Sequence, residues 1–209
     1  ARRIRRYRLH ADALRADRLP PQDPPAGYRL APLDGRLYRA ALAQAWSRDF
    51  VSLFDGEADF LARGLGVAAL RGDELVAAAS SYLIYDGGLE IQVQTRDDHQ
   101  RRGLARCCCA ALIAQCLRRG LEPHWDAANG ASLRLALCLG YRDGGAYAAL
   151  EVPSCVKACT KAERSKNTKR KDSIKSALFC GRPFTHGEIC GTISQLRFLI
   201  ENIRGGNHS

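Results

Sequence analysis

The sequence of 209 residues contains no methionine, and no lysine precedes Lys157. We therefore expect the sequence to start downstream of its natural initiation residue. It also has no apolar run near the roughly 18 to 20 residues that span a bilayer, so no transmembrane helix and no membrane partner are expected. The basic start, ARRIRRYRLHADAL, lacks a following apolar region and a small-residue cleavage site, which argues against a secretory signal. A cytoplasmic location is the expectation.

The cysteine pattern does not suit a disulfide framework. There are nine cysteines, an odd number, and Cys107, Cys108 and Cys109 are consecutive, so they cannot readily bridge one another. On a helix these three side chains point about 100° apart, and at most two face one ion. Small buried cysteines usually pack like apolar residues, and we predict packing rather than a metal site. The later cysteines also fit no familiar zinc module: Cys155, Cys159, Cys180 and Cys190, with His186 nearby.

Charge and composition change near Pro153. The formal net charge is +10, and residues 154–209 carry 11 Lys and Arg against 4 Asp and Glu. Six lysines fall between Lys157 and Lys175. The excess positive charge therefore belongs to the tail, which we interpret as an added segment. The predicted organisation is a basic arm with a proline-rich connector (1–26), a folded domain (27–152), a basic linker (153–172) and a small helical segment (173–209).

The helical segment has three short amphipathic stretches. The spacing of Thr185 and Glu188 predicts a capping box at the start of the second, and glycine is expected to end the third. The arrangement resembles the helical part of a winged helix or helix-turn-helix, with Ser194, Gln195 and Arg197 on the recognition helix. Such folds normally continue into a β-hairpin wing, which the sequence does not contain. Packing on the folded domain or homodimerisation is therefore favoured, and nucleic-acid binding by the basic tail stays open.

Hydrophobic periodicity predicts a mixed α/β fold with a central, mostly antiparallel sheet flanked by helices. Residues 1–19 have loose helical spacing, and PPQDPP at 20–25 ends any helix. The remaining predicted strands are 28–34, 66–70, 74–85, 88–95, 123–127 and a pair within 141–152, and the predicted helices are 35–46, 103–119 and 130–138.

A glycine turn lies between a predicted strand and a predicted helix. Its residues are QRRGLA, from Gln100 to Ala105. Glycine lets backbone N–H groups approach a diphosphate, and the helix N-terminus adds partial positive charge aimed at the same anion. Arg101 and Arg102 supply further charge. The pattern alone is equally typical of an ordinary strand-to-helix turn.

Four linked motifs make the interpretation of the glycine turn as an anion-binding site more specific. LEIQVQT (89–95), QRRGLA (100–105), EPHWDA (122–127) and NGASLRLALCLGY (129–141) occur in this order and at fitting separations. Over residues 27–152 they resemble the GCN5-related N-acetyltransferase (GNAT) superfamily. The resemblance implies acetyl-CoA as cosubstrate and direct acetyl transfer to an amine acceptor, which is a small molecule or a protein.

The resemblance also implies roles for individual residues. Backbone groups of Val93 and Thr95 would hold pantetheine or the thioester carbonyl. The pyrophosphate would lie on Gln100, Arg101, Arg102, Gly103, Leu104 and Ala105. Asn129 would help to hold the cofactor, although an Asn at this place is also a good helix N-cap. Glu90 is the implied general base, and a solvent-facing strand glutamate is the alternative.

Several positions depart from the pattern or stay open. Ala136 stands where many relatives have a tyrosine general acid, so that role is unassigned. Tyr141 and His124 are more typical of packed residues, although His124, Trp125 and Asp126 would also suit an acceptor pocket. The leading hypothesis is an acetyl-CoA-dependent N-acetyltransferase. The alternative is a regulatory or DNA-binding protein that uses the same fold as a ligand sensor.

Overall fold

A computed structural model of the protein describes residues 2–151. The strands are β1 (Arg2–His10), β2 (Arg29–Pro32), β3 (Gly66–Arg71), β4 (Glu74–Tyr85), β5 (Gly88–Thr95), β6 (Glu122–His124), β7 (Asp126–Ala127) and β8 (Arg142–Glu151). The helices are α1 (Gly35–Ala43), α2 (Glu57–Arg63), α3 (Leu104–Arg118) and α4 (Gly130–Cys138). Three short 3-10 turns lie at Ala16–Arg18, Arg48–Phe50 and Asp97–His99. The mixed α/β prediction is confirmed, whereas the predictions for the basic linker, the helical segment and the tail cysteines concern residues outside this range.

Five strands form the larger sheet in the order β2-β3-β4-β5-β6. The first four pair antiparallel, and β6 pairs parallel to β5. Strands β7, β1 and β8 form a second sheet in that order. Residues 6–147 make one compact unit, and the features described below lie within it.

The larger sheet has an apolar cluster on each face. Alternate side chains of a strand point to opposite faces, so neighbouring alanines of β4 join different clusters: Ala77 packs with α3, and Ala78 packs with α1 and α2. Helix α3 is buried nearly all round, with Cys108, Cys109, Leu112 and Ile113 at 0% exposure. Each fully buried Leu or Ile stabilises the fold by about 1.5 to 3 kcal/mol. Helix α3 is therefore a fixed support for the turn that precedes it.

The packing predicted for the cysteines is confirmed for those in this helix. Cys107, Cys108, Cys109 and Cys116 are free and buried. Burial raises the pKa of the Cys108 and Cys109 thiols far above the usual range, and raises the pKa of Cys116 to about 11. The neutral thiol is thereby favoured over the thiolate that binds metals. Within residues 2–151, no three His, Cys, Asp or Glu side chains are grouped to hold a metal ion.

Three predictions for individual elements were wrong. Residues 2–10 form a strand rather than a helix, because they pair with β7, with Tyr7 opposite Ala127. The predicted strand 123–127 is broken at Trp125 into β6 and β7, which belong to different sheets. The predicted strand pair after residue 141 is the single strand β8 as far as residue 151. Helix α2 had no counterpart among the predictions, whereas α3 and α4 lie where the periodicity placed them.

None of the helices in the described range combines the length and the apolar character that crossing a membrane requires.

Candidate active site

Strands β5 and β6 part within the larger sheet. They pair at only three positions, from Gly88 opposite Glu122 to Glu90 opposite His124. Beyond this point β5 continues to Thr95, whereas the chain after β6 enters the second sheet through β7. On its other edge β5 stays paired with β4 as far as Thr95. The part of β5 that contains Val93 and Thr95 therefore has one backbone edge without a strand partner among the described residues.

Glu90 and His124 lie at the vertex of this gap. They form the last parallel pair, and Nδ1 of His124 is hydrogen-bonded to Oε2 of Glu90. The side chain of Glu90 is 15% exposed and that of His124 is 26% exposed. Burial lowers the pKa of His124, but the hydrogen bond and charge of Glu90 outweigh it, and the pKa lies above the usual histidine value. The sequence favoured a packed His124 over one that lines an acceptor pocket, and did not predict its hydrogen bond to Glu90.

Asp126 forms a second polar group beside this pair. Its Oδ2 accepts hydrogen bonds from Nε of Arg6 at 3.0 Å and from the hydroxyl of Tyr147 at 2.7 Å. Its Oδ1 is buried and has no hydrogen-bond partner among the described residues. Burial raises the pKa of the carboxyl, and Tyr147 and Arg6 only partly offset this effect. Asp126 therefore joins β7 to β1 and β8 and adds negative charge near His124.

The glycine turn follows β5 after a short loop at residues 96–99. Arg101 has φ +60° and Gly103 has φ +79°, so both adopt left-handed backbone conformations at the start of α3. Within the part of the chain that the structure describes, no side chain caps this helix, whereas Asp34 caps α1 and Asn129 caps α4. The first N–H groups of an α-helix have no acceptor within the helix. With no acidic residue in its first turn, α3 presents an uncapped N-terminus suited to an anion.

A pocket of about 310 Å³ opens over this turn. Its lining includes Gln100, Arg101 and Gly103, together with Thr95 from the end of β5 and Leu135 from α4. Gln100 is held by a 2.8 Å hydrogen bond from Nε2 to Asp97. The pocket therefore joins predicted binding residues from the strand and from the turn.

The loop between β5 and α3 is fixed by residues that the sequence did not single out. Arg96 is paired with Glu74, bonds Asp98 at 2.7 Å and contacts Nε2 of His99 at 2.9 Å. Nδ1 of the buried His99 lies 2.9 Å from the hydroxyl of Tyr28. This network connects the turn to β4 and to the segment before β2. The one feature of the sequence that could have indicated this network is that Arg96 and His99 lie between two of the predicted motifs.

The remaining predicted residues have mainly structural contacts. Oδ1 of Asn129 accepts from the N–H of Ser132 at 2.9 Å and caps α4, as predicted for one of its two roles. Tyr141 is buried and donates to the carbonyl of Pro123 at 2.6 Å. Trp125 is 2% exposed and donates from Nε1 to Oγ of Ser132 at 3.0 Å. Tyr141 and Trp125 therefore support β6 and α4 from the core.

The parted strands and the glycine turn at the start of α3 define the N-acetyltransferase fold that the sequence motifs predicted. A sequence model of the GNAT acetyltransferase family matches residues 1–150, and the chain belongs to this family.

Two relatives show how far the similarity extends. A GCN5-related N-acetyltransferase-like protein from Streptococcus suis 89/1591 has 40% sequence identity with this chain and a TM-score of 0.68. The match covers 70% of this chain and 60% of the Streptococcus suis chain. The uncharacterized N-acetyltransferase YdfB of Bacillus subtilis (strain 168) is 32% identical over 85 residues, which are 40% of this chain and 33% of that protein. The chain thus matches less than two thirds of either relative.

Proposed function

We propose that the chain is an acetyl-CoA-dependent N-acetyltransferase that moves the acetyl group directly to an amine. The observation that carries this proposal is the parting of β5 from β6 next to the uncapped, glycine-containing start of α3. An extended thioester arm needs a strand edge with free backbone groups, and a diphosphate needs N–H donors and partial positive charge. Both features are reached from one pocket, which contains Thr95 and Gly103.

The binding roles follow from this arrangement. Backbone groups of Val93 and Thr95 hold the pantetheine arm or the thioester carbonyl. The backbone from Gln100 to Ala105 holds the pyrophosphate, and the exposed Arg101 and Arg102 add attraction for the phosphates. Asn129 supports the cofactor through its cap on α4, because its side-chain oxygen is already bonded to Ser132.

The chemistry requires a neutral amine, because an ammonium has no electron pair for attack. The general base is centred on the Glu90 carboxylate, which lies at the vertex of the gap. The amine then attacks the acyl carbon, the carbon–sulfur bond breaks and the electron pair leaves with sulfur. A strand N–H near Val93 stabilises the oxyanion that forms at the carbonyl oxygen. The buried, unreactive thiols of α3 take no part, and they suit the reducing cytoplasm in which we place the protein.

Calorimetric titration of the full chain with acetyl-CoA tests the proposal first. We expect saturable binding, followed by CoA thiol release when a panel of primary amines, amino acids and amino-terminal peptides is added. Absence of binding would refute the proposal. Binding without turnover over the panel would instead favour a ligand sensor built on the same fold.

A further inference from the structure

The contact between Glu90 and His124 fixes which ring nitrogen carries the proton. Nδ1 of His124 faces a carboxylate oxygen, and an ionised carboxylate only accepts hydrogen bonds. Nδ1 must therefore be the donor, and the neutral ring leaves its lone pair on Nε2. No described side chain or backbone group is hydrogen-bonded to Nε2, and 26% of the side chain remains exposed. The imidazole thus has one nitrogen fixed by the protein and one available to a substrate.

The position of the imidazole is held by the fold rather than by its own hydrogen bond alone. The backbone of Glu90 and His124 is locked in the last parallel pair of β5 and β6. The next residue, Trp125, is 2% exposed and bonds Ser132, which anchors the chain directly after His124. On β5, Leu89 and Ile91 flank Glu90 and pack in the apolar cluster beneath α3. This support is of the kind that a catalytic group needs in order to keep its orientation.

Three carboxylates act on the imidazole: one on β5, one on β7 and one on β6, the strand of His124 itself. Glu90 on β5, Asp126 on β7 and Glu122 on β6 all stabilise the protonated ring. Asp126 is held in turn by Arg6 and Tyr147. Together they place the pKa of His124 above its ordinary value against the effect of burial. A base whose pKa lies near the working pH transfers protons most effectively.

We propose that Nε2 of His124 is the atom that takes the proton from the acceptor ammonium, with Glu90 as the positioning residue that fixes the tautomer. This inference rests on the proposed transferase function and refines the role of Glu90 within it. It makes His124 a catalytic residue, and Glu90 acts through it.

The proton balance follows from the overall reaction. An N–H bond of the ammonium breaks, the proton joins Nε2, and the electron pair stays on the acceptor nitrogen. Glu90 balances the imidazolium charge, as the carboxylate does in other carboxylate and histidine pairs. The neutral amine attacks the acyl carbon and displaces the thiolate. The second proton of the attacking nitrogen passes to the thiolate to give CoASH, and His124 returns its proton to water.

Nuclear magnetic resonance of the histidine side chains tests the pair without any acceptor. Uniformly ¹⁵N-labelled full chain is titrated with acid and base, and the His124 signals are assigned by their loss in His124→Gln. We expect the neutral ring to carry its proton on Nδ1, and we expect Glu90→Gln to lower the pKa of His124, because the negative charge beside the ring is removed. A neutral ring protonated on Nε2, or an unchanged pKa in Glu90→Gln, would overturn the inference.

Two acceptor probes test the catalytic role. Ethylamine is almost wholly protonated at neutral pH and needs a base, whereas hydroxylamine is largely neutral and does not. With acetyl-CoA, His124→Gln should slow transfer to ethylamine by roughly 10²- to 10⁴-fold and leave transfer to hydroxylamine nearly unchanged. The matched control is His10→Gln, on β1, which should retain both rates.

Different results would refute this inference and the proposed transferase function. Equal losses with both probes would assign His124 a structural role and overturn the inference. An unaltered ethylamine rate in His124→Gln would do the same. Turnover of neither probe by the unmodified chain would count against transferase activity, and the tautomer measurement would still decide whether His124 is set up as a base.

Discussion

Replacing Gly103 by alanine separates the structural from the binding role of the glycine turn. Gly103 has φ +79° and precedes α3 in a left-handed conformation. An L-residue in this region costs about 1 to 2 kcal/mol. The nearest atom to the added Cβ would be Nη2 of Arg106, at 4.0 Å, so no clash adds to this backbone cost. We expect the free energy of unfolding of Gly103→Ala to fall by about 1 to 2 kcal/mol, measured by urea titration.

Gly103→Ala should also weaken the binding of acetyl-CoA by the folded protein. If the turn holds the pyrophosphate, the added Cβ lies where a phosphate approaches the backbone, and the N–H groups at the start of α3 shift with the altered φ. We expect Kd for acetyl-CoA to rise at least tenfold, which corresponds to about 1.4 kcal/mol. Isothermal titration well below the midpoint of unfolding measures this change on folded protein.

Gly120→Ala is the matched control. Gly120 has φ +67°, and an added Cβ there meets nothing within 4 Å. It follows the other end of α3, and the 15 residues of that helix place it about 22 Å from the turn. Its stability loss should resemble that of Gly103→Ala, while acetyl-CoA affinity stays unchanged. If both variants bind acetyl-CoA as tightly as the unmodified chain, the turn does not hold the pyrophosphate and the reasoning is wrong.

Three further outcomes are expected. Cys109→Ser places a hydroxyl in a fully buried apolar site and should lower the free energy of unfolding by about 1 to 3 kcal/mol; an unchanged urea midpoint would argue against packing as the role of this cysteine. Tyr141→Phe removes the hydroxyl that donates to Pro123 and should destabilise the fold by about 1 to 3 kcal/mol in the same assay, because the buried carbonyl is left unpaired; a neutral effect would contradict this. The raised pKa of His124 stabilises the fold fully below the ordinary histidine pKa, and this contribution disappears as pH rises through the pKa of the folded state. Thermal melts from about pH 6 to about pH 8 should therefore show a loss of stability that His124→Gln lacks. Parallel stability profiles of the two proteins would refute the raised pKa.

The sequence was sufficient to predict the elements that depend only on residues close together in the chain. Helix α4 begins after Asn129 because that side chain caps it, and its apolar spacing continues to Cys138. The turn at Gly103 was equally visible, because glycine marks a left-handed position between a strand and a helix. The cysteine packing followed from the 100° spacing of helical residues and the burial typical of thiols.

Features that depend on distant pairing were not visible. The spacing of Ile4, Tyr7 and Leu9 suits a helix as well as a strand, and only the partner strand β7 decides between them. The contact of His124 with Glu90 joins residues 34 apart and depends on the register of β5 and β6. Sequence motifs therefore singled out Glu90 as the predicted base and His124 as a candidate pocket residue, but not the hydrogen bond between them.

The place of β1 between β7 and β8 has a consequence for synthesis of the protein. Arg6 bonds Asp126, a residue 120 positions later, so β1 must wait until this later part of the chain has been made before it finds its partners. Contacts of such long separation are slow to form. Until then a ribosome-bound chain exposes an unpaired, arginine-rich strand, whose like charges discourage pairing with other chains. Completion of the second sheet, and of the charge cluster beside His124, is thus deferred to the last stage of folding.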